Sequence, residues 1–258
     1  MAMAAEDLPM NDESGPAAHG ADASERPGDS ISAVPAEAEW RLDVISDVIC
    51  PWCYIGKRRL EKALALLAPD LRFRVGWRPF ELNPDMPGQG MERSAYRARK
   101  FGSLERSKAL DAQVAAAGAE EELRFNFDRI SRTPNTFDAH RLIRLAGQGG
   151  DQNAVVNGLF AAYFVDGRDI GEIEVLTDVA AQAGLDPAWV RSLLAGQESV
   201  EEVRRDEAAA RRAGIDGVPS FVLDGWVLFS GAVPAEPMAD ALRKAVAQLR
   251  ARAEASVG

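Results

Sequence analysis

Cysteine and histidine are scarce in this chain of 258 residues, with two of each. The scarcity excludes a stapled fold. Both cysteines, Cys50 and Cys53, fall in one Cys-Pro-Trp-Cys run, and none is left for a structural bridge. It also leaves a zinc centre short of ligands. Zinc takes about four, and the two histidines are His19, near the start, and His140, far along the chain, so such a site would have to recruit carboxylates. Long apolar runs are missing as well; no stretch approaches the roughly 18 residues of a membrane helix. The opening Met-Ala-Met-Ala-Ala-Glu-Asp has neither a basic nor an apolar segment of a secretory signal, so the cytoplasm is the expected compartment. In a reducing compartment an isolated C-x-x-C is read as catalytic or metal-binding and not as a staple.

A surplus of basic residues is absent too. The formal net charge is -10, most of it carried before residue 40, where nine acids face the single base Arg26. A near-neutral body behind an acidic leader argues against nucleic acid as a partner. Residues 1–38 are rich in Ala, Asp, Glu, Pro, Gly and Ser and poor in aromatic and β-branched side chains. Such a stretch cannot bury enough apolar surface to offset its ordering entropy, and it is read as a disordered acidic tail.

Ordered patterning begins near Trp40. Residues 41–48 are β-branched and partly alternating, which predicts a strand ending just before Cys50. From Trp52 to Leu67 the spacing of Leu60, Leu64 and Leu67 predicts a helix, closed by Pro69-Asp70. A second strand is expected over 72–77. Helices are then expected around 91–117, 136–147, 152–165, 173–184, 187–195 and 198–213, with Phe125-Asn-Phe127 ambiguous. Two apolar runs, 220–223 and 226–229, flank Asp224-Gly225, the signature of a tight hairpin. A last helix is expected over 234–253. The order is β-α-β, a helical block, then β-β-α. The fold class is therefore α/β: a thioredoxin-like domain over 39–88 and 214–254, split by a large all-helical insertion over 89–213.

At the strand-to-helix turn, Cys50 would meet free backbone N–H groups and the positive end of a helix dipole, both of which favour a thiolate. Cys53, one turn on, is placed to attack the Cys50 sulfur and resolve a mixed disulfide. Pro51 suits the first helical position, where its missing N–H costs nothing. Trp52 adds an apolar surface for substrate beside the sulfur. Asp47 either moves protons for Cys53, opposes the Cys50 thiolate, or simply orders the turn. Val218-Pro219 opens the later strand; sequence alone favours an ordinary trans bond, because only about 5–6% of X-Pro bonds are cis.

Four motifs occur in order: Ser46-Asp-Val-Ile-Cys-Pro-Trp-Cys-Tyr-Ile-Gly-Lys57, Arg78-Pro-Phe-Glu-Leu-Asn-Pro84, Pro134-Asn-Thr-Phe-Asp-Ala-His-Arg141 and Gly217-Val-Pro-Ser-Phe221. Together they resemble the DsbA-like thioredoxin family, in particular its FrnE-like subgroup, over about residues 40–250. The resemblance implies a nucleophilic Cys50, a resolving Cys53, a cis Pro219 whose neighbour Val218 pairs with substrate backbone, and dithiol oxidoreductase or disulfide isomerase activity. It places the helix start at Asn135 and Thr136 toward the cleft, with Asn135 touching substrate and His140 tuning the site; the bland alternative is a helix cap and a surface histidine. Glu81 and Asn83 are weaker candidates that can serve only to order a loop. A sister branch, the 2-hydroxychromene-2-carboxylate isomerases and kappa-class glutathione transferases, shares the insertion but typically has serine in place of Cys50. No metal and no bound cofactor are expected, with glutathione left open as a co-substrate. The expected partners are disulfide- or dithiol-bearing proteins or small molecules, with no membrane partner and a monomeric or homodimeric chain. Glutathione-dependent isomerisation and a non-catalytic redox-sensing module remain alternatives.

Overall fold

The computed structural model describes residues 39–255; the segment read as an acidic tail lies outside the described residues. Strand β1 (Glu39–Ser46) leads through a short turn to α1 (Pro51–Leu67), and β2 (Arg72–Pro79) returns parallel to β1, with Glu39 opposite Arg72 and Ser46 opposite Pro79. Late in the chain β5 (Ser220–Leu223) and β6 (Trp226–Ser230) form a hairpin. Its Asp224 and Gly225 have φ of 45° and 87°, the positive values a two-residue turn of this twist needs. Strand β5 pairs antiparallel with β1, so the sheet runs β2-β1-β5-β6 with β1 in the interior. On β1, Trp40, Leu42 and Val44 alternate inward before Ile45 and Ser46 become buried as well. The closing helix α9 (Ala235–Ala255) packs against α1.

Between β2 and β5 lie β3 (Met91–Glu92), α2 (Arg93–Phe101), α3 (Leu104–Ala119), a 3₁₀ turn (Phe127–Arg129), β4 (Arg132–Thr133), α4 (Phe137–Gly149), α5 (Gln152–Phe160), α6 (Ile173–Gln182), α7 (Pro187–Ala195) and α8 (Val200–Arg212). Three details differ from expectation. The single helix predicted over 91–117 is two helices. Gly102 closes α2 at φ 88°, and the next residue, Ser103, caps α3 by accepting the Arg106 N–H. The insertion is not purely helical: β3 and β4 form a ribbon of two residues each, Met91 opposite Thr133 and Glu92 opposite Arg132. Finally, α5 ends at Phe160 and continues as a π turn over Ala161–Val165. The wider turn re-aims the following side chains. Phe164 meets Phe125 edge-on at 5.2 Å, and Phe160 stacks on Tyr54 at 4.9 Å. Tyr54 directly follows Cys53, so the aromatic cluster joins α1 to the insertion in one core.

Helices α4, α5 and α8 pack against β2. The outer edge of β2 is closed by a side chain: Gln152 accepts the Trp77 N–H at 2.8 Å and donates to Trp77 O at 3.3 Å. Its amide thereby occupies the place of a further strand. Deeper in the insertion, the buried guanidinium of Arg141 uses all five N–H groups. Nε donates to Glu198 O, the η nitrogens to Leu193 O, Leu194 O, Gly196 O and the Asp138 carboxylate, at 2.8–3.0 Å. No helix among the described residues is long and apolar enough to cross a membrane.

Lysine cannot replace this five-fold donor, because its ammonium offers three N–H groups from one point. Arg141→Lys leaves buried carbonyls unpaired and is expected to cost about 2–3 kcal/mol. The check is the urea midpoint, which should fall with an unchanged slope.

Candidate active site

The turn between β1 and α1 is built by backbone hydrogen bonds around Cys50. Its N–H donates to Asp47 O at 3.0 Å, and its carbonyl accepts the Cys53 N–H at 3.0 Å. Cys50 itself is the residue capping α1, in extended conformation, and Pro51 takes the first helical position. Both cysteines are free thiols. Cys53 is 1% exposed and Cys50 6%, whereas Trp52 between them is 40% exposed. Of the two cysteines Cys50 is the less enclosed, and Trp52 is the exposed residue between them.

The other wall comes from the segment that enters β5. Val218–Pro219 is a cis peptide, and the Cys50 thiol donates to Val218 O at 3.6 Å. Gly56, one turn beyond Cys53, faces the Pro219 ring; a Cβ there would lie 2.9 Å from its Cγ. Close packing of α1 on this loop thus requires a residue without a side chain. Arg59 adds a second tie, donating to Ala232 O at 2.6 Å and to Glu121 at 2.7 Å.

Burial pushes the Cys53 thiol well above its ordinary range, reinforced by the hydrogen bond and the charge of the neighbouring Cys50 sulfur. The Ser46 hydroxyl and the Asp47 backbone pull the other way and do not prevail. Cys53 therefore holds its proton strongly, and a resolving attack by it needs a proton acceptor.

A carboxylate lies behind the turn. Asp47 is wholly buried; its Oδ2 accepts the Leu82 N–H at 2.7 Å, and its Oδ1 accepts the Ile49 N–H at 3.4 Å. His140, from α4, brings Nε2 to 3.6 Å from Asp47 Oδ1, and that nitrogen has no hydrogen-bond partner among the described residues. His140 is buried, so the alternative of a surface histidine is corrected: the apolar face of α4 carries it inward with Ala139, Leu142 and Ile143. Glu81 belongs to the same cluster. Burial raises its carboxyl to about 7, opposed by His140 and assisted by the charges of Glu207 and Asp47.

Glu207 and Arg211, from α8, were not singled out from sequence. Glu207 accepts the Glu81 N–H at 3.0 Å, and Arg211 donates to Glu207 at 2.7 Å and to Glu81 O at 2.8 Å. The available signal was local: Glu207 falls on the buried stripe Val200, Val203, Ala210 of an otherwise charged helix. Asn135 is placed at the start of α4 with the hydrogen bonds of the capping alternative. Its Nδ2 donates to Met86 O at 2.8 Å and its Oδ1 accepts the Phe137 N–H at 2.9 Å. It therefore caps α4 in place of Thr136, whose side chain makes no capping bond. Asn135 lines a separate surface cavity of about 330 Å³ with Glu81 and Arg204. Asn83 is likewise engaged, accepting from the Tyr96 hydroxyl at 2.7 Å.

Comparison with known proteins agrees with this architecture. A Bacillus subtilis protein of uncharacterized function, YwbO, is 29% identical over 192 residues, 72% of this chain and 88% of its own length. A structure described as a probable DsbA oxidoreductase from Streptomyces coelicolor is 37% identical, with a TM-score of 0.74 over 81% of this chain and 90% of that one. The fold is shared with the cytosolic disulfide reductase DsbM of Pseudomonas aeruginosa, solved with glutathione (22% identical, TM-score 0.55, covering 81% and 99%). It is shared also with a 2-hydroxychromene-2-carboxylate isomerase (18%, TM-score 0.58, covering 84% and 99%). The family model of the DSBA-like thioredoxin domain matches residues 41–243, and the chain belongs to that family.

Proposed function

We propose that this chain is a thiol–disulfide oxidoreductase in which Cys50 attacks and Cys53 resolves. The observation that carries the reading is the difference in access within one dithiol: Cys50 stands against Val218 O at the foot of an exposed indole, and Cys53 is enclosed behind it. In the first step the Cys50 thiolate attacks a substrate disulfide. The substrate S–S bond breaks, its outer sulfur leaves with the electron pair, and a mixed disulfide forms. Cys53 then gives up its proton and attacks the Cys50 sulfur. The second substrate thiol departs, the protein holds a Cys50–Cys53 disulfide, and the substrate has gained two electrons and two protons. Val218 and Pro219 offer backbone against which an extended substrate can lie, and Trp52 offers apolar contact. Glutathione suits the role of reducing co-substrate that returns the pair to the dithiol.

Asp47 is a buried carboxylate at the start of the same turn, and we assign it the acceptance of the Cys53 proton. Glu81, which titrates close to neutrality, extends the route toward the surface cavity it lines.

Three outcomes test the reading. Cys50→Ser should abolish reduction of insulin disulfides, and Cys53→Ser should leave a mixed disulfide detectable by intact mass; persistent turnover in the first variant would sink the dithiol mechanism. Asp47→Asn should slow the resolving step about tenfold or more, measured by rapid-quench alkylation, with the deficit narrowing at high pH, where hydroxide removes the Cys53 proton. The third outcome concerns stability. Because the folded Glu81 carboxyl titrates near 7 and an exposed one near 4.5, the native state binds the extra proton between those values. Stability contributed by that proton is present below about 4.5 and lost as pH rises through about 7. Glu81→Gln should remove this loss, worth about 2 kcal/mol between pH 5 and pH 8, in paired chemical denaturations.

A further inference from the structure

Next to the redox turn, the insertion builds a cation-rich cavity that the exchange chemistry above does not use. It encloses about 100 Å³. Pro51 of the turn forms one wall, and Arg93, Tyr96, Arg97 and Lys100 of α2 face it, with Phe127 alongside. Helical spacing explains the row: 93, 97 and 100 stand at i, i+4 and i+7, so three cations share one face. Among the described residues a single carboxylate answers them. Asp111 of α3 takes Arg93 at 2.8 Å and Arg97 at 2.6 Å. Lys100 donates instead to neutral oxygens, Tyr96 Oη at 2.6 Å and Asn83 Oδ1 at 3.2 Å. The guanidinium carbons are seated over rings, Arg93 5.4 Å from the Phe127 centroid and Arg97 4.6 Å from that of Phe101. Stacking and the shared Asp111 hold both arginines in place before any ligand arrives. Burial also strips water from Arg97 and works against its charge, an effect Asp111 only partly offsets. The cavity thus has a preset excess of positive charge, aromatic walls and room for one ring-sized or side-chain-sized group, and it shares Pro51 with the attacking cysteine.

We propose that this cavity is a specificity subsite for the carboxylate-bearing flank of a small disulfide, seated toward Lys100 while the sulfur is presented to Cys50. The proposal rests on Cys50 as the attacking thiol, and it names the substrate class of that site. An anionic flank is favoured twice over: Lys100 gains a charged partner, and the aromatic walls accept an apolar ring or stem.

The test uses the reduced full chain and two aryl disulfides, the dianionic dithiobis(nitrobenzoate) and the neutral dithiodipyridine. Second-order rate constants for both are divided by those of free dithiothreitol, which removes the intrinsic reactivity of each probe. After this correction the wild-type chain should favour the anionic probe by about fivefold or more, and raising the salt from about 0.05 to 0.5 M should shrink that preference. Lys100→Glu should lower the ratio about tenfold, while Lys100→Arg retains it. Lys100 is exposed, and the reaction with the neutral probe reports in the same experiment that the variant has folded. A corrected wild-type ratio near one, or a ratio that Lys100→Glu does not move, would overturn the subsite and leave the exchange mechanism standing. Failure of the reduced chain to react with either probe faster than Cys50→Ser would overturn the exchange reading and the subsite with it.

Discussion

The geometry of the dithiol depends on a charge placed where water cannot reach it. Asp47 buries its carboxylate completely, which is costly unless its oxygens are hydrogen-bonded. Its two partners, the N–H groups of Ile49 and Leu82, belong to different parts of the chain: the turn just before Cys50 and the segment that leaves β2 for the insertion. One side chain therefore fixes the loop carrying the nucleophile to the entrance of the helical block. His140 arrives from α4 at 3.6 Å and Glu81 directly precedes Leu82, so two remote segments converge on the carboxylate beside the turn itself. A shift of the segment at Leu82 is transmitted to the turn before Cys50 through hydrogen bonds that have no solvent alternative.

In front of this charge, contact between the two halves is apolar and close. Tyr54 stacks on Phe160 and meets Phe125 edge-on at 5.9 Å, so the residue after the resolving cysteine is part of the insertion's own core. Gly56 lets α1 approach the Pro219 ring, and Gln152 seals the edge of β2. The helical block is thus a supporting wall of the redox turn. Its cation-bearing face on α2 stands against Pro51 for the same reason.

Much of this was legible in the residues. The C-x-x-C, the periodicity from Leu60 to Leu67, and Asp224-Gly225 between two apolar runs each specify a local geometry, and local geometry is what periodicity and turn chemistry encode. The split of α2 from α3 was also written locally, in Gly102-Ser103, but a continuous count of helix-forming residues passes over it. The β3–β4 ribbon was not legible, since two-residue strands carry no alternation and their pairing spans some 40 residues. The same holds for Glu81 with Glu207 and Arg211. Glu81 follows β2 in irregular backbone while Glu207 and Arg211 sit on α8, and only the packing of α8 against β2 brings them together. Asn135 shows the converse: its residue type fits both a cap and a substrate contact, and its hydrogen bonds to Met86 O and the Phe137 N–H are those of a cap.

Arg141 has a consequence for how this fold can vary. Four of its five hydrogen bonds go to main-chain oxygens of Leu193, Leu194, Gly196 and Glu198. Every residue type supplies a carbonyl, so the clamp reads the path of that loop and ignores its side chains. Substitutions between α7 and α8 are therefore cheap for the clamp, whereas an insertion or deletion there would pull oxygens off a rigid planar fork. Drift in identity is permitted at this joint, and drift in length is not.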